Sequence, residues 1–487
     1  MSATPRISAL APFRVRSFRF QWPADVATSW ALEMETLILS WYVLVETGSV
    51  VLLTVFGSLL YLGTLLAPMF GVMADRFGHR NLLCAMRAAY ATLSTALTAF
   101  IFTGVLTPVH VLVIATLMGI VRPSDLGIRI ALVGETMPAD HLMGAMSIQR
   151  TTQDSARIAG ALSGAGLVAA MGMGPPYLVV VTLYVTSFLL TRKAGVARAA
   201  PRPAATVFDG NVSAGPRDTS AEHPLAAAEA TARFPQTAVF DGNVSARPRD
   251  TSAEHPLAAA GATARFPQTA VFDGNVSARP SPWRELRAGV AYVWTAPHLL
   301  AAMCFAFLVN LTAYPLVNGL LPYVAKSIYG TDQTGLGYLV ASFSFGALTG
   351  SIVLSRISHV IRAARMMIVF CAVWYALVIV FAQMRSPVGG IPALMLAGMA
   401  QSLCMVPMSA LLLRNTGEQF RGRVMGIRML MIYSVPIGLL ISSPLISRFG
   451  YPATATLYCA IGLAFTLLIA MRWRAHIWKL EAPANTR

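Results

Sequence analysis

Charged residues are scarce in this chain. Only 12% of its 487 residues are Asp, Glu, Lys or Arg, against roughly 25% in an average soluble domain. Apolar residues make up 56%, and the mean hydropathy is +0.61. A soluble protein needs more charge than this to cover its surface. Lipid must therefore be the solvent for most of the chain, and the composition predicts an integral membrane protein.

Motifs that point to an enzyme, a metal site or a disulfide framework are also missing from the sequence. No GxxxxGK[ST] loop is present to hold nucleotide phosphates, and no spacing suggests hydrolytic catalysis. We therefore expect no cofactor, no metal ion and no enzymatic activity. The cysteines form no CxxC pair and no His/Cys cluster, and each stands alone in an apolar run: Cys84, Cys304, Cys371, Cys404 and Cys459.

The net charge of +16 indicates contact with lipid rather than with nucleic acid. Lys and Arg lie at the ends of apolar runs, as in the cytoplasmic loops of membrane proteins, where anionic lipid headgroups are their expected partners. Alternate loops at 47–49, 107–108 and 173–176 have none. Both termini are therefore predicted to be cytoplasmic, in the inner (plasma) membrane of a bacterial cell. Isolated exceptions to this charge pattern are Lys326, Arg385 and Arg448.

The apolar runs predict an all-α protein with twelve transmembrane helices. One crossing takes about 20 residues, and the sequence has six such runs before residue 193 and six after residue 298. Their predicted bounds are 22–46, 50–73, 82–105, 108–132, 145–171, 175–192, 299–322, 334–355, 364–383, 388–412, 424–446 and 452–472.

The segment between the two sets of runs differs in composition. It is rich in Ala, Pro, Arg and Thr, and Val207–Ala214 recurs at 239–246 and 271–278 with a period of 32 residues. Because these units have no apolar face to stack, we expect a disordered cytoplasmic linker, with a docking element as the alternative. The predicted regions are an N-terminal segment 1–21, a six-helix half 22–193, the linker 194–282, an interfacial helix and second six-helix half 283–473, and a tail 474–487.

The most specific motif joins the second and third predicted spans. Residues 71–80 read GVMADRFGHR, which resembles the GxxxDRxGxR/K cytoplasmic loop of the major facilitator superfamily. The resemblance implies two six-helix halves, alternating access, and a gating role for this loop. A solvated charged turn is the alternative interpretation. The candidate gating residues are Gly71, Asp75, Arg76, Gly78 and Arg80.

Shorter stretches are similar to one branch of that superfamily, the enterobactin-exporter-like branch, which includes siderophore and macrolide exporters. They are residues 46–49, 321–323 and 421–425. The second half also echoes the first, because residues 131–148 align weakly with 410–427 at a constant offset of 279. Such an internal repeat is typical of transporters built from two related halves.

The fifth predicted span carries a sequence similar to the GPxxGG antiporter motif of efflux proteins. It reads GALSGA from Gly160, so that Ala161 replaces the proline and Ala165 replaces the last glycine. The resemblance implies export by antiport. Small residues at Gly160 and Gly164 are equally typical of close helix packing.

Charged residues inside the first span are the first candidates for a functional site, since a charge at a helix centre costs at least ~2.5–3.5 kcal/mol. Glu33 lies about halfway across. It suits a proton-coupling or substrate-contacting acid, and a structural ion pair is the alternative. Glu35 is a second candidate that is expected to face a different neighbour. The polar stripe that contains Glu33 consists of Asp25, Ser29, Glu33, Thr36 and Ser40.

The fourth and fifth spans carry further charges. We expect Asp125 or Asp154 to neutralise the arginines across this helix pair. Arg122, the deepest arginine, is the candidate for binding an anionic or carboxylate-bearing substrate, and Arg157 is its counterpart on the fifth span. In the second half, the uncharged Asn310 and Gln401 are candidates for lining the same cavity, or for hydrogen bonds between helices.

Together these features predict a monomeric transporter with the major facilitator fold. Its partners would be a small-molecule substrate, protons and membrane lipid. The predicted activity is proton-coupled export of a siderophore-like metabolite or a drug. A proton-coupled importer is the first alternative, and a membrane sensor or scaffold that signals through the linker is the second.

Overall fold

The computed structural model of the chain describes residues 11–195, 282–357, 363–414, 416 and 421–472. Every regular element in these ranges is a helix. The chain divides into two compact units, 1–199 with 280–487 and 200–279, and all described residues belong to the first. The predicted linker 194–282, apart from its ends, and the predicted tail 474–487 lie outside the described residues.

The first half of the chain forms seven α-helices, and glycines with positive φ mark the ends of three of them. Gly48 ends α1 with φ 61°, Gly78 separates α3 from α4 with φ 83°, and Gly172 ends α6 with φ 73°. The helices are α1 Arg16–Thr47, α2 Val50–Leu59, α3 Ala67–Phe77, α4 His79–Phe102, α5 Pro108–Thr136, α6 Ala139–Met171 and α7 Gly174–Lys193.

The helices of the second half are less regular. A π-helical turn, Pro315–Gly319, interrupts the seventh predicted span, and a second one, Val324–Ile328, follows just after it. Gly450, with φ 79° and ψ 166°, divides the last helix into two. The helices are α8 Pro282–Thr295, α9 Pro297–Thr312, α10 Leu321–Tyr323, α11 Gln333–Ile357, α12 Ala363–Gln383, α13 Pro387–Arg414, α14 Arg421–Met431 and α15 Ser434–Arg472.

Eight helices among the described residues are long and apolar enough to cross a membrane. Nine of the twelve predicted spans fall on these eight helices, because the last helix, which is 47 residues long and bends at Gly450, contains two of the spans. Two of the remaining spans fall on α1 and α6, which carry internal charges, and the third falls on the shorter apolar segment Val50–Leu66. The total of twelve therefore stays a prediction. The eight are His79–Phe102, Pro108–Thr136, Gly174–Lys193, Leu299–Gly319, Gln333–Arg356, Ala364–Gln383, Pro387–Leu412 and Gly426–Arg472.

Both halves pack their helices through the same kind of close approach. A Cβ on Gly119 of α5 would lie 1.9 Å from the carbonyl oxygen of Leu59. In the second half, a Cβ on Gly398 of α13 would lie 2.0 Å from the carbonyl oxygen of Phe343. Only glycine fits at such crossings. The two glycines are 279 residues apart, so the offset found in the sequence corresponds to a repeat in the packing.

The halves meet along two helix pairs, α6 with α11 and α2 with α15. In the first pair, a Cβ on Gly337 would lie 2.5 Å from the Cβ of Ala165. In the second pair, the hydroxyl of Ser58 donates a hydrogen bond to the carbonyl oxygen of Pro436 at 3.3 Å. Both contacts are close enough to fix the register of one half against the other.

Lys326 joins the halves at a third point. It lies in the second π-helical turn, and its Nζ donates to the carbonyl oxygens of Leu44 and Val45 at 3.2 and 3.3 Å. These carbonyls belong to the last turn of α1, where the helix dipole favours a cation; the Leu44 oxygen also accepts a hydrogen bond from the N–H of Gly48. The contact gives a physical reason for a positive charge in a loop where the charge pattern predicts none.

We expect Lys326→Met to weaken closure at this end of the bundle, because it keeps the apolar stem and removes the ammonium group. In a variant with its native cysteines replaced, a cysteine at Val324, which is 1% exposed, should react with a soluble maleimide faster. An increase of about tenfold corresponds to the loss of one hydrogen bond to a charged group.

Lys326→Arg is the matched control, because it keeps the cation near the same carbonyls. Its labelling rate should stay close to that of the unmodified chain. If the Met and Arg variants react at the same rate, Lys326 does not hold the halves together.

Candidate functional site

Glu33 of α1 lies between two arginines. Nη2 of Arg122, on α5, is 3.8 Å from Oε1 of Glu33, and Nε of Arg157, on α6, is 3.6 Å from Oε2. Arg122 is also held by Thr36, whose hydroxyl oxygen accepts a hydrogen bond from Nη1 at 2.8 Å. We call Glu33, Arg122 and Arg157 the central triad; it carries one positive charge in excess.

The triad is partly open. The side chains of Glu33, Arg122 and Arg157 are 23%, 24% and 31% exposed. Since charges that face lipid are costly, we expect the exposed atoms to face water. The two ion pairs are also longer than the 2.7–2.9 Å of a direct charge-assisted hydrogen bond. The charged groups of the triad therefore have room for another polar partner.

Two tyrosines place the triad where the halves meet. Tyr61, between α2 and α3, and Tyr314, after α9, both lie within electrostatic range of Arg157. Both rings also pack against an apolar cluster that contains residues of both halves. Tyr61 stands inside the second predicted span and Tyr314 inside the seventh, and no motif marks either of them.

Gly160 and Gly164 bring α6 against α1 beside the triad. A Cβ on Gly160 would lie 2.8 Å from the Cβ of Glu33, and one on Gly164 would lie 3.3 Å from the Cα of Met34. This geometry corresponds to the helix-packing interpretation of the two glycines. Their contact places Arg157 within reach of Glu33, and an antiporter role for them stays a prediction.

We expect Gly160→Ala to lower both the melting temperature and the transport rate, because the new methyl group displaces Glu33 or α6. The matched control is Gly166→Ala on the same helix, where a Cβ would meet nothing within 4 Å. Each change gains about 0.5–1 kcal/mol of helix propensity, so the two variants differ only in the steric contact of the new methyl group. Equal melting temperatures for the two variants would contradict this packing role.

A second cluster of charges is buried within the first half. Asp25 of α1 pairs with Arg87 of α4, and its Oδ1 lies 3.7 Å from Nε of Arg129 on α5. Gln149 of α6 donates a hydrogen bond to Asp25 at 2.6 Å, and Arg129 also pairs with Asp125. Two acids and two arginines make this cluster neutral. It ties four helices together and leaves no charge for a ligand.

Among the described residues, the acids of α5 and α6 form ion pairs within their own helices and not across the helix pair. Asp125 pairs with Arg129 of its own helix, and Oδ2 of Asp154 lies 3.5 Å from Nε of Arg150, also on its own helix. Residues four apart share one helix face, which favours such pairs. Arg122 and Arg157 instead pair with α1, because α1 lies beside both helices and supplies Glu33.

Glu35 occupies a separate site on the opposite side of α1. Its side chain is buried, and it accepts hydrogen bonds from the hydroxyls of Ser94 on α4 and Tyr184 on α7, at 2.7 and 2.8 Å. Among the described residues, no Lys or Arg forms an ion pair with it. Glu35 therefore faces a different neighbour from Glu33, in a pocket of hydroxyl groups.

The candidates of the second half do not contact the triad directly. Asn310 is half-buried on α9, and Gln401 is buried on α13. Within the described part of the chain, neither forms a hydrogen bond with Glu33, Arg122 or Arg157. Their role in lining a cavity stays a prediction.

The turn between α3 and α4 is tied to two neighbouring helix ends. Nδ1 of His79 lies 2.7 Å from Oε1 of Glu135 at the end of α5. Arg80 donates a hydrogen bond to the carbonyl oxygen of Ala194, which follows α7, at 3.4 Å. The turn is therefore held by the two residues that follow Gly78, which are His79 and Arg80.

The other candidate gating residues contribute less to this contact. Gly78 adopts φ 83° and ψ 140°, which glycine tolerates best. Gly71 has open space where a Cβ would stand, so it serves no close helix approach. Arg76 is exposed, and the side chain of Asp75 lies outside the described part. A gating role for the loop stays a prediction.

Two helical halves with the same packing, joined around a polar site, define a membrane transporter by class. The sequence matches the profile of the Major Facilitator Superfamily over residues 27–435, and again over 303–485. The chain belongs to this superfamily, which confirms the expected family. It is a multi-pass membrane protein and a secondary transporter.

Solved transporter structures share the fold. The POT family transporter PepTSo superposes with a TM-score of 0.65 at 11% identity, covering 96% of this chain and 99% of its own. A D-xylose–proton symporter gives 0.61 at 10% identity, covering 93% and 97%. A bacterial homologue of the human lysosomal transporter Spinster, inward-facing and unoccupied, gives 0.61 at 10%, covering 96% and 99%. No curated protein sequence matches the chain.

Proposed function

We propose that the chain couples the movement of a small molecule to protons by alternating access, with Glu33 as the proton-binding group. The central triad is the observation that carries this proposal. It sets an ionisable group between two cations, in a partly open site bounded by both halves. Protonation of Glu33 removes its charge and breaks its ion pairs with Arg122 and Arg157. The proton therefore changes the contacts that hold α1 to α5 and α6.

Export is the first candidate direction. It is supported by the resemblance to the enterobactin-exporter-like branch and by the antiporter-like sequence from Gly160. The substrate would be a siderophore-like metabolite or a drug, moved out of a bacterial cell as protons enter. Exchange of this kind requires that proton and substrate exclude each other at the site.

Import is the second candidate, and the charge of the triad favours it. An excess positive charge suits an anionic substrate, and a proton on Glu33 leaves both arginines free to bind one. Proton and anion then bind together, which is the condition for co-transport. The sign of the coupling between proton and substrate therefore distinguishes the two candidates.

Mass spectrometry of cells and medium, with and without the gene under iron limitation, tests export. We expect a catecholate or hydroxamate compound to accumulate inside the deletion strain, because its exit route is lost. If both pools are unchanged, siderophore export is excluded. A drug-susceptibility and nutrient-uptake panel then identifies the substrate for the vesicle experiment.

We expect Glu33→Gln to abolish proton-driven transport in vesicles while leaving exchange of substrate for substrate measurable, because glutamine keeps the shape and cannot bind a proton. Glu46→Gln is the matched control, since Glu46 lies exposed on the same helix near its end. Transport by Glu33→Gln that follows an imposed pH gradient as in the unmodified chain would remove Glu33 from the coupling.

A further inference from the structure

We infer that the central triad is a receptor for an anionic group of carboxylate size, which takes the place of the Glu33 carboxylate when Glu33 binds a proton. This inference rests on the proposed proton coupling at Glu33. It deepens the second candidate, import of an anionic substrate, by naming the size of the anionic group and the carboxylate that the group replaces.

The charge around the triad is the first step. Glu33 balances only one of the two arginines. Asp154 is the other acid near Arg157, and it already pairs with Arg150 at 3.5 Å. Glu35 is an acid within electrostatic range of Arg122, but it lies on the opposite side of α1, where it accepts hydrogen bonds from Ser94 and Tyr184. Uncharged hydroxyl groups also lie near the triad, on Thr36 of α1, Tyr61 after α2 and Tyr314 after α9. Within the described residues, Glu33 is the only acid that forms an ion pair with either arginine of the triad, which leaves one positive charge for a ligand.

The buried cluster around Asp25 has no excess of positive charge, so the excess is particular to the triad. The cluster around Asp25 also uses two arginines, but it matches them with two acids, and its side chains are almost inaccessible. The triad uses two arginines with one acid, and its side chains are 23–31% exposed. The arginines of the buried cluster are therefore fully neutralised, whereas those of the triad are not. The triad is the site with room for an anion.

The geometry of the ion pairs is the second step. Each oxygen of Glu33 faces a different arginine at 3.6–3.8 Å, so the carboxylate is held from two sides without a short hydrogen bond to either. Arginine binds carboxylates in a planar, two-point manner that a better-placed anion achieves at shorter distances. Arg122 is kept in position for this by its hydrogen bond to Thr36.

Thermodynamic linkage is the third step. A charged Glu33 competes with an incoming anion for the same two guanidinium groups, and a protonated Glu33 does not. Proton binding therefore raises the affinity for the anion, and by reciprocity the anion raises the affinity for the proton. Proton and anion are then carried together through the same half-cycle, so an anionic substrate makes this chain a co-transporter.

Chemical rescue of Glu33→Ala tests the receptor without knowledge of the substrate. The variant leaves two arginines around a space of about carboxylate size. Sodium formate should bind there and raise the melting temperature of the purified full chain. We expect half-maximal stabilisation at a concentration at least about tenfold lower than for the unmodified chain, where Glu33 competes. Sodium chloride at equal ionic strength gives the baseline.

Three controls make the rescue specific. Formamide has the shape of formate without its charge, and it should not stabilise the variant. Arg157→Gln added to Glu33→Ala should remove the formate effect. Glu46→Ala removes an exposed acid outside the triad, and formate should not stabilise it. If Glu33→Ala does not fold, Glu33→Gln replaces it with the same expected order of formate over formamide.

Equal stabilisation by formate and formamide, or no stabilisation by either, would overturn the receptor. The measurement uses no gradient and no transport, so it is independent of the proposed function. Formate-specific rescue combined with proton-independent transport in vesicles would keep the anion site and reject the coupling. Absence of formate-specific rescue, combined with transport in vesicles that depends on protons and on Glu33, would keep the coupling and reject the anion site.

Discussion

The cost of placing charge inside a membrane governs this structure. Every charged group within a span must pair with another charge, bond to polar neighbours or face water. The chain uses all three solutions within α1. Asp25 is paired in a neutral cluster, Glu35 is surrounded by hydroxyl groups, and Glu33 lies with two arginines in a partly open space. These three acids of α1 thus have three different environments, and only the environment of Glu33 leaves room for a ligand.

Helix packing decides which acid receives which environment. Hydrophobic association is weak between helices in lipid, so close contact depends on small residues. Gly160 lets the backbone of α6 come within contact of Glu33, and this position brings Arg157 to the acid. Gly119 and Gly398 make equivalent crossings in the two halves. The same device that builds each half therefore also builds the site between them.

The contacts between the halves are of different kinds. Small residues meet at Gly337 and Ala165, a hydroxyl meets a backbone carbonyl at Ser58, and an ammonium group meets the end of a helix at Lys326. An apolar cluster also contains residues of both halves, among them Leu37 with Leu316 and Leu339. The proposed alternating access requires these contacts to form and break as the halves move.

The sequence by itself determined the class, the family and most of the helices of this protein. Long apolar runs have only one stable form in lipid, because every backbone polar group must be satisfied within the segment. The loop at residues 71–80 identified the superfamily. The intramembrane charges were also visible in the sequence, since they interrupt apolar runs. Only the tertiary structure decided how those charges combine. Asp125 pairs with an arginine of its own helix, and Arg122 and Arg157 both pair with Glu33. Tyr61, which belongs to no sequence motif, lies near Arg157. The physical reason is that ion pairs between helices join residues that are far apart in the chain. Hydropathy indicates that a residue lies within a span, but it does not indicate which neighbouring helix the side chain faces.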